Sequence, residues 1–338
     1  MRWVKSWGAE VRIFDFEPAE YTEQYAEQEW IQVKRGIAPE FLEYLRDFVA
    51  SRLGAAKLDS FAIKGKKEQA LFAFPPDARF PDEIFDVTAA VCGLRRETMT
   101  LSERHIQIYE PDADPEPVAH KDRFPSQVSI GFSIEIPQAS RLVLYPYDHR
   151  ELNPFNSAAA LQRHLQPHEQ PEVALRDARE VELVDEPGDV VMFPGSTTWH
   201  LRRNSANAVN LYVKLNDFDC DPLGEDPSTP VRREQTLELI ERRDPDQLAA
   251  ATPRVSRRLD YLGSQVARQN APETLYASLY GSDPVGINVV QQALIRAANG
   301  ARTLGALVNE IAAANGDCTE TIYRDALTLL ERGILEFT

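Results

Sequence analysis

The chain has 338 residues, 43% of them hydrophobic and 27% charged, with a formal net charge of -16. These are the proportions of an ordinary globular protein, and the length exceeds one average core, so two or three domains are expected. A surface this acidic argues against a nucleic-acid partner, because phosphate binding needs a basic one. No apolar run approaches the roughly 20 residues that span a bilayer.

The stretch Met1 to Pro18 has no apolar core of the kind that directs secretion. Cys92, Cys220 and Cys318 form neither a C-x-x-C pair nor a disulfide framework. Both features lead to the expectation of a cytoplasmic protein.

Residues 1–102 mix short apolar stretches with two helical patterns, one around Pro39 to Leu45 and one from Asp82 to Cys92. Their apolar residues recur at spacings of three and four, as an amphipathic helix requires. They are expected to support a second region, 103–222, whose texture is that of short strands. Arg104 to Tyr109, Gln127 to Ile136 and Asn207 to Leu215 alternate, and Arg141 to Tyr145, Val181 to Val184 and Asp189 to Phe193 add further strands. Turn signals such as Glu186-Pro187-Gly188-Asp189 separate them. Asn156 to Leu175 interrupts as a helical insert. Residues 223–285 are expected to be a helical connector. In 286–338, three helical patterns and the strand-like Ile334 to Phe337 suggest a small winged-helix-like module. The fold class expected is α+β: a double-stranded β-helix (jelly-roll or cupin-like) core with flanking helices and a small helical C-terminal domain.

His120-Lys121-Asp122 carries the chemistry. In an extended backbone residues i and i+2 project to the same side, so this imidazole and carboxylate aim at one point. A third ligand must come from elsewhere, and His200, just after the strand and turn ending at Gly195, is the candidate. Two imidazoles and one carboxylate on one face leave coordination positions open, the pattern of non-haem Fe(II) oxygenases; the ligand types alone also suit Zn(II) or Mn(II). His149, His164 and His168 lie in polar loop-like sequence and are expected at the surface. His105 and Gln107, on one strand face with Tyr109, are expected to line a substrate pocket with Tyr145 and Trp199.

The block from Glu103 to Asn216, with "HKD", "PGDVVMFPG" and the histidine that follows, resembles the core of prolyl-4-hydroxylase-like and phytanoyl-CoA-hydroxylase-like dioxygenases over about a third of the chain. The resemblance implies metal ligation by His120, Asp122 and His200, with Fe(II), 2-oxoglutarate and O2 required and succinate and CO2 released. Relatives that halogenate replace the carboxylate by a small residue, so Asp122 implies hydroxylation or desaturation of an unactivated C–H bond. One feature departs from the family. Where it carries an arginine for the far carboxylate of 2-oxoglutarate, this chain reads Asn210-Leu211-Tyr212-Val213-Lys214. Lys214 is the only lysine after Lys121, in a chain with 8 lysines and 29 arginines. It is expected to bind that carboxylate as a point charge, with Tyr109 and Asn210 beside it. Arg141, Arg202 and Arg203 are the other cations on offer. Adjacent strand residues face opposite ways, so only one of Arg202 and Arg203 can point inward, and Arg203 is the one assigned.

The C-terminal segment Gly300 to Phe337 is similar to winged-helix modules of protein-hydroxylating JmjC-type oxygenases and to peptide-recognition domains. It carries four arginines and no lysine against six acids over 286–338, so duplex binding is not expected; packing, homodimerisation or peptide docking is. A peptide, protein or amino-acid-derived substrate follows. Two other classes stay open: a non-oxygenase cupin-type metalloenzyme, and a catalytically silent barrel serving as a binding scaffold.

Overall fold

A computed structural model describes residues 11–53, 61–63, 67–76, 78–266, 273–316 and 318–338. Most of the secretion-signal reading of Met1 to Pro18 rests on residues outside these. The chain divides into two units, Met1–Asp219 and Cys220–Thr338.

The first unit runs α1 (Thr22–Gln28), β1 (Ile31–Val33), α2 (Pro39–Leu53), β2 (Phe61–Ile63), β3 (Lys67–Leu71), α3 (Asp82–Cys92), β4 (Thr100–Tyr109), β5 (Val128–Glu135) and β6 (Arg141–Tyr145). It continues with α4 (Ala158–His164), α5 (Pro171–Ala174), β7 (Val181–Leu183), β8 (Val190–Phe193), β9 (Trp199–Arg203) and β10 (Val209–Asn216). A seven-stranded antiparallel sheet has the order β1-β8-β5-β10-β4-β3-β2, and a three-stranded one the order β7-β6-β9. Leu142, Leu144 and Leu183 of the smaller sheet pack against Val191, Phe193 and Tyr212 of the larger one. The sheets therefore face each other as the two layers of a double-stranded β-helix.

Alternation along each strand explains what lies on either side of the larger sheet. Val128, Ile130, Phe132 and Ile134 of β5 and Val209, Leu211, Val213 and Leu215 of β10 point outward. They join Phe41 and Leu45 of α2 and Ile84 and Val91 of α3 in the main core. Each fully buried side chain of this kind contributes about 1.5–3 kcal/mol. Ser129, Gly131 and Ser133, with Asn210, Tyr212 and Lys214, face inward, where the chemistry collects. On the far side of the smaller sheet, Val143, Tyr145, Trp199 and Leu201 pack with Leu175, Leu161 and Leu165 of the insert.

The second unit holds α6 (Ser228–Arg242), α7 (Pro245–Ala250), β11 (Pro253–Val255), β12 (Leu259–Gln265), β13 (Thr274–Leu279), β14 (Val285–Ile287), α8 (Val289–Ala297), α9 (Leu304–Asn315), α10 (Thr319–Glu331) and β15 (Leu335–Phe337). The helical connector expected over 223–285 is corrected: among its described residues only α6 and α7 are α-helical, and β12, β13 and β14 form an antiparallel sheet. These strands bury only Leu275, Ala277, Ser278 and Ile287, so their alternation is faint in the sequence. Helices α8, α9 and α10 pack around Leu294, Leu304, Leu329 and Leu330, and β15 pairs with β11. No helix among the described residues is long and apolar enough to cross a membrane.

Candidate metal centre

His120 sits where the chain comes alongside β9. Its backbone exchanges two N–H···O bonds with that of His200, 2.9 Å each. Two residues on, the Asp122 amide donates to Gly195 O at 2.9 Å. These pairings bring His120, Asp122 and His200 together with one ligand atom of each within 4.8 Å of the others. Nε2 of His120 and of His200 lie 4.0 and 3.8 Å from Asp122 Oδ1. Asp122 and His200 are buried, and His120 is partly open.

The surroundings fix each ligand. His200 Nδ1 faces Thr198 O at 3.0 Å; a carbonyl only accepts, so the proton sits on Nδ1 and the Nε2 lone pair is left for a metal. Ser129 donates to Asp122 Oδ2 at 2.7 Å, and Asn153 Nδ2 to Asp122 O at 2.8 Å. Gly195 leaves room for this arrangement: a Cβ there would lie 2.5 Å from Asp122 Oδ2 and closer still to Ser129 Oγ. Lys121 points the other way. Its ammonium donates to His149 O at 2.6 Å and to Glu151 O, 5.0 Å from the Trp199 ring centre, and so ties down the loop after β6. Asp189 of the Pro-Gly-Asp turn is a structural anchor, accepting from Arg35 N, Glu186 N and Lys34 Nζ.

No protein-family model matches the chain, and no curated protein matches its sequence. Solved structures do resemble it. A non-heme alpha ketoglutarate dependent epimerase, SnoN, from nogalamycin biosynthesis is 11% identical, with a TM-score of 0.43 over 59% of this chain and 83% of that one. A Pseudomonas putida prolyl-4-hydroxylase is 14% identical, with a TM-score of 0.40 over 59% of this chain and 98% of its own. EctD from S. alaskensis with bound Fe is 12% identical, with a TM-score of 0.41 over 64% and 79%. Likeness this distant bears no weight for the chemistry, which rests on the side chains themselves.

The expected site residues divide by the direction they face. Gln107, Tyr109 and Lys214 line the cavity with the three ligands. Asn210 is buried on the same inner face, and its Nδ2 has no hydrogen-bond partner. His105 shares that face, 3.3 Å from Glu103 Oε1, but does not line the cavity. Arg203, Tyr145 and Trp199 do not reach it. Since His200 faces inward, its neighbours Trp199 and Leu201 face outward, and Tyr145, paired with Trp199 across β6 and β9, goes with them. Tyr145 instead donates to Glu180 Oε2 at 3.2 Å. Arg203 is turned outward onto Glu116, Glu180 and Glu182.

Arg202, not Arg203, is the inward arginine. It forms a buried double contact with Asp185, 3.0 and 2.9 Å, and its Nε has no hydrogen-bond partner. Lys214 is not free to receive a ligand carboxylate as expected: its ammonium lies 2.8 Å from Asp122 Oδ1 and 3.1 Å from Glu103 Oε1. Glu103 is bound on its other oxygen by Arg123, at 2.6 Å. The cation that sequence reasoning missed is Lys67 of β3. It lines the cavity, donates to Gln107 Oε1 at 3.4 Å, lies 5.6 Å from the Tyr109 ring centre, and has no carboxylate partner among the described residues. Lys67 pairs in register with Tyr109, a cross-strand relation that no local pattern encodes.

Electrostatics follows from these contacts. Burial favours the neutral form of Asp122, but the Lys214 ammonium beside Oδ1 outweighs it and holds the carboxyl below its ordinary range. Burial likewise opposes the Glu103 charge, and Lys214 and Arg123 keep it ionised. Burial pushes His200 below the ordinary histidine value despite Asp122, so the imidazole is neutral, as a metal ligand must be. Burial and then the Lys214 charge lower the Lys67 pKa.

Proposed function

We propose that the protein is an Fe(II)- and 2-oxoglutarate-dependent oxygenase that hydroxylates or desaturates an unactivated C–H bond. The observation that carries this is the gathering of His120, Asp122 and His200 at one point, beside Lys67, which has no carboxylate partner among the described residues, and the unpartnered Arg202 Nε. A 2-His-1-carboxylate face suits non-haem Fe(II) and leaves positions for a chelating co-substrate. The donors at hand suit a dicarboxylate: Lys67 without a counter-charge and Arg202 Nε without an acceptor both border the cavity. Unpaired buried donors are costly, and a bound anion relieves that cost.

When bound, Fe(II), 2-oxoglutarate and O2 supply the oxidising chemistry. The protein supplies placement. Ser129 and the Gly195 carbonyl orient Asp122, Thr198 O sets the His200 tautomer, and Lys67 with Tyr109 receives the far carboxylate. Leu142, Tyr212 and Phe193 keep the inner wall dry. A peptide or amino-acid-derived substrate is the reading supported by the resemblance of the C-terminal segment.

Titration with 2-oxoglutarate in the presence of Fe(II) under anaerobic conditions tests this. A visible charge-transfer band is expected to saturate in the wild type and to be absent in His200→Ala. Lys67→Met is expected to weaken 2-oxoglutarate at least about tenfold, the cost of one charged hydrogen bond. A Lys67→Met titration superimposable on the wild type rejects that anchor. The second reading, a silent barrel, draws on one observation: both Asp122 oxygens already have partners, Lys214 and Ser129. It requires that the wild type bind no metal.

A further inference from the structure

Lys214 occupies a place in which a metal ligand is shared between two cations. Its ammonium is buried, 2.8 Å from the Asp122 oxygen nearest both imidazoles and 3.1 Å from Glu103. The Asp122 oxygen it contacts, Oδ1, is the one lying 4.0 and 3.8 Å from the two Nε2 atoms, while Oδ2 faces Ser129. A metal bound by the triad therefore meets an oxygen already bonded to an ammonium. Divalent cation and ammonium repel, and this cost is paid inside a water-poor site where charge interactions are strong.

Glu103 makes that sharing workable. It is buried on the inner face of β4, in register with Lys214 of the neighbouring β10, and Arg123 holds its other oxygen. Lys214 keeps this carboxylate when Asp122 is given over to a metal, so no buried charge is stranded. A lone buried ammonium would not survive that exchange, because breaking one partner of a buried pair costs several kcal/mol.

We propose that Lys214 is a positioning residue that sets the metal affinity of the centre. It acts as resident counter-ion to Asp122 when the site is empty, and shifts its hydrogen bonding onto Glu103 as the divalent ion enters. The inference rests on the metal-centre reading and gives the departure from the family's arginine a physical role. The lysine on β10 tunes the carboxylate, and the anion role belongs to Lys67.

Two neighbouring substitutions are predicted to act in opposite directions. In Lys214→Met the repelling charge is gone, so Mn(II), used as a redox-stable probe on the full chain, should bind about tenfold more tightly or better by calorimetric titration. The metal-free protein should melt at lower temperature, since Asp122 and Glu103 lose their shared counter-ion, and Mn(II) should raise the melting temperature by more than in the wild type. In Glu103→Gln the second seat is gone, and Mn(II) should bind about tenfold more weakly. A structural role alone would weaken binding in both variants. Equal or weaker Mn(II) affinity in Lys214→Met overturns the inference while leaving the metal centre standing. No saturable Mn(II) binding in the wild type removes the metal reading and the inference with it. Should Lys214→Met fail to fold, Lys214→Gln carries the same prediction, and an affinity no tighter than wild type contradicts it.

Discussion

Asp122 is held by its amide, its carbonyl and both carboxylate oxygens, which leaves little tolerance around it. Gly195→Ala is expected to push Ser129 or Asp122 aside at about 1–3 kcal/mol, the usual cost of overpacking. The variant should fold yet lose Mn(II) affinity; an unchanged titration would show that the Gly195 contact is slack. Asp185 offers a pH-dependent counterpart. Burial opposes its charge, and Arg202 and Ser133 outweigh burial and lower its pKa. A carboxyl with a depressed folded pKa stabilises the protein above its unfolded value of about 3.9, and that contribution is lost as pH falls. Asp185→Asn should cost about 3–5 kcal/mol at neutral pH by urea unfolding, because it strands the Arg202 charge. The deficit relative to wild type should shrink as pH falls below that unfolded value; a deficit that stays constant with pH would refute the ionic account. The three ligands were legible because His-x-Asp needs only strand alternation. Lys67 was not: in the run Lys64-Gly65-Lys66-Lys67 it reads as one more solvated charge, and only the pairing of β3 with β4 turns it inward.

Among the elements, β9 shows how much one rule decides. With His200 inward, alternation sends Trp199, Leu201 and Arg203 outward and Arg202 inward, so the errors over Trp199 and Arg203 were avoidable from sequence. Tyr145 needed the register of β6 against β9, which sequence does not supply. The loop after β6 depends on Lys121, whose ammonium is buried against carbonyls and the Trp199 ring. Lys121→Met is expected to keep the ring contact, lose the clamp, and raise hydrogen exchange over 149–153. A loss of about 1–3 kcal/mol is expected where two carbonyls lose their donor. Unchanged exchange in that loop would mean that Asn153, bonded to Asp122 O and to Ser196 O, holds it alone. Strands β12 to β14 went unread for a different reason: few of their residues are buried, and the burial does not follow a strict alternation.

At the scale of the molecule, the net charge of -16 makes a simple prediction. The protein should show no salt-dependent retention of duplex DNA, because an acidic surface releases no counter-ions from phosphate; measurable binding at moderate salt would contradict this. The strand-rich texture of 103–222 was visible in the sequence, whereas the small sheet of the second unit, a meander of consecutive strands, was not. The central claim concerns the first unit and its three ligands. The most direct test is oxygen-dependent formation of succinate from 2-oxoglutarate by the Fe(II)-loaded protein. Turnover above background in the wild type, abolished in both Asp122→Ala and His200→Ala, is the result expected. Fe(II) bound at the triad with no succinate formed, across peptide and amino-acid substrates, would contradict the assignment.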